Sequence, residues 1–343
     1  MAANKRPKIL ALDLGFSSLK YSYINDEGLM VNEKIISAVA KLPNAPLEAD
    51  DDNLFQLGGN WYVIGHDALK VNKNYLMKLE TFDDLKAVYP VWLSYMFKKF
   101  SGVKWDKVAI GISMAFSDRV DELLEHIHNS LMIDPKEELF ACFPQGLACK
   151  AAYNQYGVNI RDNTIHAADN KLQNFLIVDA GQNTLDISLV INNKSSAGAT
   201  LGMPDTGCIW MARTISEYIY KNFEFRISLK EVQTVIDSGR LVRRGRDYDL
   251  TDVVYKIKKQ YMIMVLNLIE EKCEEELNVA EALLLLGGGA YTWNIVIQDP
   301  EFVKEVEKHF PVNFVKAPAD YGEYYNSCSY LLLAENILKK KKG

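Results

Sequence analysis

The sequence predicts an α/β protein built as two related domains, and three observations carry that expectation. Its 343 residues exceed the size at which one hydrophobic core keeps growing. Strand-like apolar runs alternate with helical patterns along the chain. The same strand, turn and strand layout occurs once in each half: Lys8 to Leu12 and Tyr21 to Ile24 flank the turn Asp13-Leu14-Gly15-Phe16-Ser17-Ser18-Leu19-Lys20, while Asn174 to Val178 and Asp186 to Ile191 flank Asp179-Ala180-Gly181-Gln182-Asn183-Thr184-Leu185-Asp186. A turn rather than a helix follows each first strand, which separates this layout from a Rossmann or Walker unit. Domain duplication explains the repeat most economically.

The elements follow in order. Asn53 to Leu69 alternates like a short meander with Gly58-Gly59-Asn60 as its hairpin turn, which predicts a small β subdomain. Val108 to Ser113 is a buried strand by composition, and Ser117 is the expected N-cap of a helix presenting Val120, Leu123, Leu124, Ile127 and Leu131 on one face. The polar stretch Asn159 to Lys171 is expected to be a surface excursion near the domain boundary. Ile209, Ala212, Ile215 and Ile219 keep helical spacing, as do Val254, Ile257, Tyr261, Val265 and Leu268. The cluster Arg240, Arg243, Arg244 and Arg246 between them is expected to be a solvated loop. Lys339 to Lys342 is expected to be a solvated helix end.

Composition narrows the classes of function. Apolar residues make up 48% and charged residues 24%, as in ordinary globular domains. The net charge of −6 offers no broad positive field for direct nucleic-acid binding. Five scattered cysteines without C-x-x-C spacing suit neither a disulfide framework nor a zinc site, and the dispersed histidines, with His126 and His128 on different helix faces, suit no metal centre. No run approaches the roughly 20 apolar residues of a membrane span, and the polar segment Met1 to Lys8 lacks the apolar core of a signal peptide. The expected location is therefore the cytoplasm.

The two Asp-led turns, with the glycine triplet Gly287-Gly288-Gly289 closing the apolar run Ala282 to Leu286, together describe a nucleotide clamp. Glycine lets backbone N–H groups approach a polyphosphate, hydroxyl side chains add donors, and an aspartate at a strand end can hold Mg²⁺ through water. Asp13, Gly15, Phe16, Ser17, Ser18 and Lys20 form the first half of this candidate site. Gly181, Gln182, Asn183 and Thr184, with Asp179, form the second, and Gly287, Gly288 and Gly289 complete it. In their order and spacing the three loops resemble the actin-like ATPase family, and most closely its bacterial plasmid-segregation branch of ParM/StbA type. Asp13, Gly15, Ser17, Ser18 and Lys20 match that branch's first phosphate motif, and Asp179, Gly181, Thr184 and Asp186 match its second.

The resemblance covers nearly the whole chain and implies an actin-like fold, shared with heat-shock chaperones and sugar kinases, in which two related α/β domains flank a nucleotide cleft. Residues 1–170 would form the first domain, with a small β subdomain at about 30–95; 171–318 would form the second, and 319–343 would be a C-terminal helix returning to the first, a role matched by Asn326 to Leu333. The resemblance further implies ATP hydrolysis, with GTP the alternative nucleotide, self-association into filaments, and plasmid or phage DNA segregation through a DNA-binding, ParR-like adaptor. Asp13 and Asp179 would hold Mg²⁺ through water, and Gln145 would orient the attacking water. Pro144-Gln145 stands where polymer-forming bacterial members often carry Pro-Glu, and Gln182 and Asn183 replace more usual small residues. Glutamine orients water but is no true base, which implies slow hydrolysis. The competing readings are a small-molecule kinase or a nucleotide-binding module on the same fold.

Overall fold

The computed structural model describes residues 6–44, 53–156, 160–161, 164–165, 173–192, 194–309, 313–316 and 322–342. The chain divides into two compact units, Met1–Asp169 with Tyr324–Gly343, and Asn170–Glu323. Most of the predicted excursion 159–171 lies outside the described residues.

The first unit begins with β1 (Ile9–Leu14), β2 (Ser18–Ile24), β3 (Met30–Ile36), β4 (Val39–Leu42), β5 (Leu54–Leu57), β6 (Asn60–Ile64) and α1 (Gly65–Ala68). It continues through α2 (Phe82–Lys99), β7 (Lys107–Ile112), α3 (Val120–Leu131), β8 (Phe140–Pro144), α4 (Cys149–Tyr156) and the short pair β9 (Ile160–Arg161) and β10 (Thr164–Ile165). Its main sheet has the order β3-β2-β1-β7-β8. The first two pairings are antiparallel and the last two parallel. All six residues of β1 and of β7 are buried, as expected for central strands covered on both faces. Each fully buried leucine there, such as Leu10, stabilises the fold by roughly 2 kcal/mol. Strands β4, β6 and β5 form a separate antiparallel sheet with its own small core of Ala40, Leu42, Val63 and Ala68.

The second unit comprises β11 (Phe175–Ala180), β12 (Thr184–Ile191), β13 (Lys194–Pro204), α5 (Ile209–Phe223), α6 (Leu229–Ser238), β14 (Arg240–Arg243) and β15 (Arg246–Asp249). Then come α7 (Thr251–Lys272), α8 (Glu274–Leu277), β16 (Ala282–Leu286), α9 (Gly289–Val296), α10 (Pro300–His309) and β17 (Asn313–Lys316). Its sheet order, β13-β12-β11-β16-β17, repeats that of the first unit strand for strand, with the same sequence of antiparallel and parallel pairings. The final helix, α11 (Tyr325–Lys342), belongs to the first unit, where the Tyr330 ring stacks on Phe143 at 6.0 Å.

Two local expectations fail. Ser117 does not cap α3: it lies inside a 3₁₀ turn, Met114–Arg119, whose N-cap is Ser113, and α3 starts after Arg119 with no side-chain cap. Ser113 precedes the first tight turn after β7, so its hydroxyl reaches the Ala115 N–H and outcompetes the later serine. The arginine cluster is a hairpin rather than a loop: Arg240–Arg243 pairs with Arg246–Asp249 around Arg244-Gly245. Both turn residues take positive φ, which a two-residue hairpin turn requires.

Candidate functional site

Each unit carries one of the two sequence-predicted turns at the tip of its first hairpin. In the first unit Asp13 pairs with Lys20 across β1 and β2, and in the second Asp179 pairs with Asp186 across β11 and β12. The two turns close alike. The Gly15 N–H donates to the Ser18 carbonyl at 3.0 Å, and the Gly181 N–H to the Thr184 carbonyl at 2.9 Å. Built as residues with a Cβ, both glycines would press on those carbonyls at 3.3 Å, so the turn favours glycine in each unit.

Around the first turn three sequence-predicted residues meet. The Gln145 amide Nε2 donates to Asp13 Oδ1 at 2.7 Å, and Lys20 Nζ stands 3.7 Å from Asp13 Oδ2. Asp13 is only 3% exposed, and a buried carboxylate needs such partners. Ser17 is exposed at the tip, Ser18 is buried, and Phe16 packs against the core of its unit. Ser37 was not expected. Its hydroxyl donates to the Gly15 carbonyl at 2.6 Å and its N–H to the Ser17 carbonyl at 3.1 Å, so the residue after β3 braces the turn. Behind Asp13, the buried Tyr89 hydroxyl donates to the Gly111 carbonyl at 2.7 Å. Burial foremost, with the Cys142 and Asp13 charges behind it, pushes that phenol well above its ordinary range.

The second turn is held by the start of α5. The N–H groups of Gly207, Cys208 and Ile209 donate to the carbonyls of Asn183, Gly181 and Gln182 at 3.2, 2.9 and 2.7 Å. A Cβ on Gly207 would lie 2.6 Å from the Gly181 carbonyl oxygen and 2.7 Å from that of Gln182, so this glycine permits the contact. Its position after Pro204-Asp205-Thr206 marks a turn in the sequence, though nothing local reveals which loop it touches. Gly287, at φ +76°, and Gly289 close on the same strand end: side chains there would strike Asp179 Oδ1 and the Ala180 carbonyl, and Ala180 Cβ, respectively. Gly288 is exposed with open space before it. The Thr184 hydroxyl donates to Asp186 Oδ2 at 3.4 Å, which engages Asp186 within its own hairpin. Beneath the turn Tyr261 donates to the Thr206 carbonyl at 3.2 Å, and burial first, then Cys208 and Asp179, raises its phenol far above its ordinary range. The rings of Trp210 and Trp293 each stack with Tyr261, at 6.0 and 6.4 Å.

Asp13 and Asp179 are each at least 95% buried at the end of a strand, the kind of carboxylate that can hold a cation through its water shell. Among the described residues no group of three or more His, Cys, Asp or Glu side chains converges as a direct metal site. Nor is any helix among them long and apolar enough to cross a membrane.

Comparison with known proteins bears on this architecture. Residues 177–297 match the family model described as archaeal actin homologue MreB-like, C-terminal. Among solved structures, the archaeal actin homologue Ta0583 is similar at 16% identity with a TM-score of 0.69, over 96% of this chain and 99% of that one. A subunit of a 15-stranded ParM filament from Clostridium botulinum is similar at 16% identity and TM-score 0.67, over 96% and 99%. ParM of Bacillus thuringiensis with ADP is similar at 16% and 0.63, over 98% and 100%. No curated protein matches the sequence.

Proposed function

We propose, from the premise that this chain has the actin-like fold, that it hydrolyses ATP and assembles into nucleotide-dependent filaments serving plasmid or phage DNA segregation through a DNA-binding adaptor. The observation that carries the reading is the duplicated hairpin: one glycine turn led by a buried aspartate in each unit, the first with Gln145 on its carboxylate. The ParM relatives with ADP and in a filament, and the plasmid-segregation branch that the loop motifs resemble, support the finer parts.

Phosphoryl transfer to water needs positioning and charge neutralisation more than covalent chemistry. The turn backbone around Gly15 and Gly181 and the hydroxyls of Ser17, Ser18 and Thr184 would cradle the phosphates, and Lys20 would neutralise them. Gln182, Asn183 and the triplet Gly287 to Gly289 would close over the nucleotide from the second unit. Magnesium, when bound, supplies further charge neutralisation, with Asp13 and Asp179 holding its water. Gln145 would release Asp13 and orient the attacking water. An amide cannot take the proton as a carboxylate would, so turnover is slow.

The Gln145 to Asp13 hydrogen bond also favours a second reading, a binding module without hydrolysis, in which the amide serves only to satisfy the buried carboxylate. Phosphate release from ATP separates the two. In the ATPase reading Asp179→Ala lowers the rate by about 10²-fold or more while the protein stays folded. A parental rate in that folded variant overturns the assignment, and no phosphate release from the parent leaves the binding module.

A further inference from the structure

The backbone of Gln145 is held on both sides, and one of the two holds comes from the far end of the chain. Its own N–H donates to the Ile112 carbonyl at 2.7 Å, tying the preceding peptide to the end of β7. The next peptide, whose N–H belongs to Gly146, donates to Asn326 Oδ1 at 3.1 Å in a buried bond. Gly146 takes φ +68°, a left-handed turn that throws the chain into α4. The same Asn326 oxygen accepts from the Cys149 thiol at 3.0 Å, and Ser329, one turn further along α11, accepts from the Ala152 N–H at 3.3 Å. Asn326 is 7% exposed and Ser329 fully buried.

A peptide N–H and a thiol converging on one buried amide oxygen fix the plane of the Gln145–Gly146 peptide, and with it the direction in which the Gln145 side chain leaves the backbone. The other end of that side chain is the amide on Asp13. Asn326 therefore sits two bonded steps from the candidate site, three residues after Glu323, the last residue of the second unit.

We propose that Asn326 is a positioning residue for ATP hydrolysis: it sets the Gln145–Gly146 turn so that Gln145 can orient water, which makes turnover answer to the start of α11. This rests on the reading of Gln145 given above. Asn326→Ala leaves the Gly146 N–H without its acceptor, and a misplaced orienting group costs about ten- to a hundredfold in rate.

The test is steady-state phosphate release and ATP affinity for the full chain and for Gln145→Ala, Asn326→Ala, Asn326→Asp and the double variant Gln145→Ala with Asn326→Ala. Expected are a kcat at least about tenfold lower in Asn326→Ala with KM and ATP affinity close to parental, and recovery in Asn326→Asp, which keeps the acceptor oxygen. The double variant falls no lower than Gln145→Ala, since one residue acts through the other. A parental kcat in Asn326→Ala, or a double variant showing the product of the two single losses, overturns the inference while leaving Gln145 in place. A parent without turnover, or Gln145→Ala at the parental rate, overturns the reading of Gln145, and the inference falls with it. Amide hydrogen exchange at Gly146 gives a readout apart from activity: protection in the parent and in Asn326→Asp and its loss in folded Asn326→Ala are expected, and equal protection in all three overturns the contact.

Discussion

At the scale of single residues, buried charge is tolerated where a partner meets it. Asp13 has Gln145 and Lys20, so its carboxylate is compensated before any ligand arrives. Lys20 would exchange that partner for phosphate oxygens, and Lys20→Ala is expected to weaken ATP binding about tenfold, near 1.4 kcal/mol, in titration calorimetry. An unchanged dissociation constant would show that Lys20 serves Asp13 only. The cysteines make an independent test of burial. Burial pushes the Cys142 and Cys328 thiols up to about 12 and the Cys273 thiol up to about 11, from an ordinary 9.0. A thiol whose value is raised by folding stabilises fully below pH 9 and loses that contribution as the pH climbs toward 11 and 12. At pH 8 these three are expected to resist iodoacetamide in the native protein and react once denatured, as mass spectrometry would show; fast native labelling of Cys328 would contradict its environment.

Elements were legible in the sequence to the extent that their signals are local. The two hairpins, the strand before the glycine triplet and helices α5 and α7 follow from apolar periodicity over a few residues. The cap of α3 was not, because Ser113 and Ser117 offer the same chemistry and only the backbone path after β7 decides which reaches an N–H. Ser37 and Gly207 escaped, as did the contact of Asn326 with Gly146, for a related reason: each is ordinary in its own neighbourhood and acts on a loop brought to it by packing. The joint between α5 and the second turn is open to test. Gly207→Ala forces a methyl against two carbonyl oxygens, so a loss of about 1–3 kcal/mol and a lower melting temperature are expected, together with weaker ATP binding. Thr81→Ala is the contrasting case. It removes the capping box of α2, costs about 1 kcal/mol, and should leave the affinity for ATP untouched. Equal affinity in both variants would separate Gly207 from the site.

For the whole molecule, the matching strand orders of the two sheets give the repeat a structural meaning that its few shared residues could not carry. Copies of a chain joined head to tail by contacts that do not close into a ring form an open polymer. We expect light scattering to rise on adding Mg-ATP to concentrated protein and to fall as the nucleotide is consumed, and on the proposed coupling of release to hydrolysis Asp179→Ala filaments should persist. A flat trace from folded, ATP-binding protein would remove filament assembly from the proposed function.

What the amino-acid order determined unaided was the pair of aspartate-led glycine turns, since strand propensity, turn chemistry and the alternation of apolar residues all act within a dozen positions. Tertiary structure decided which groups those turns meet. Gln145 reaches Asp13 across 132 residues, and Asn326 reaches Gly146 across 180. Hydrogen bonds between such distant groups have no local signature: they exist only once the first unit's sheet and the returning helix have buried their apolar faces, and a shift of one ångström in that packing would undo them.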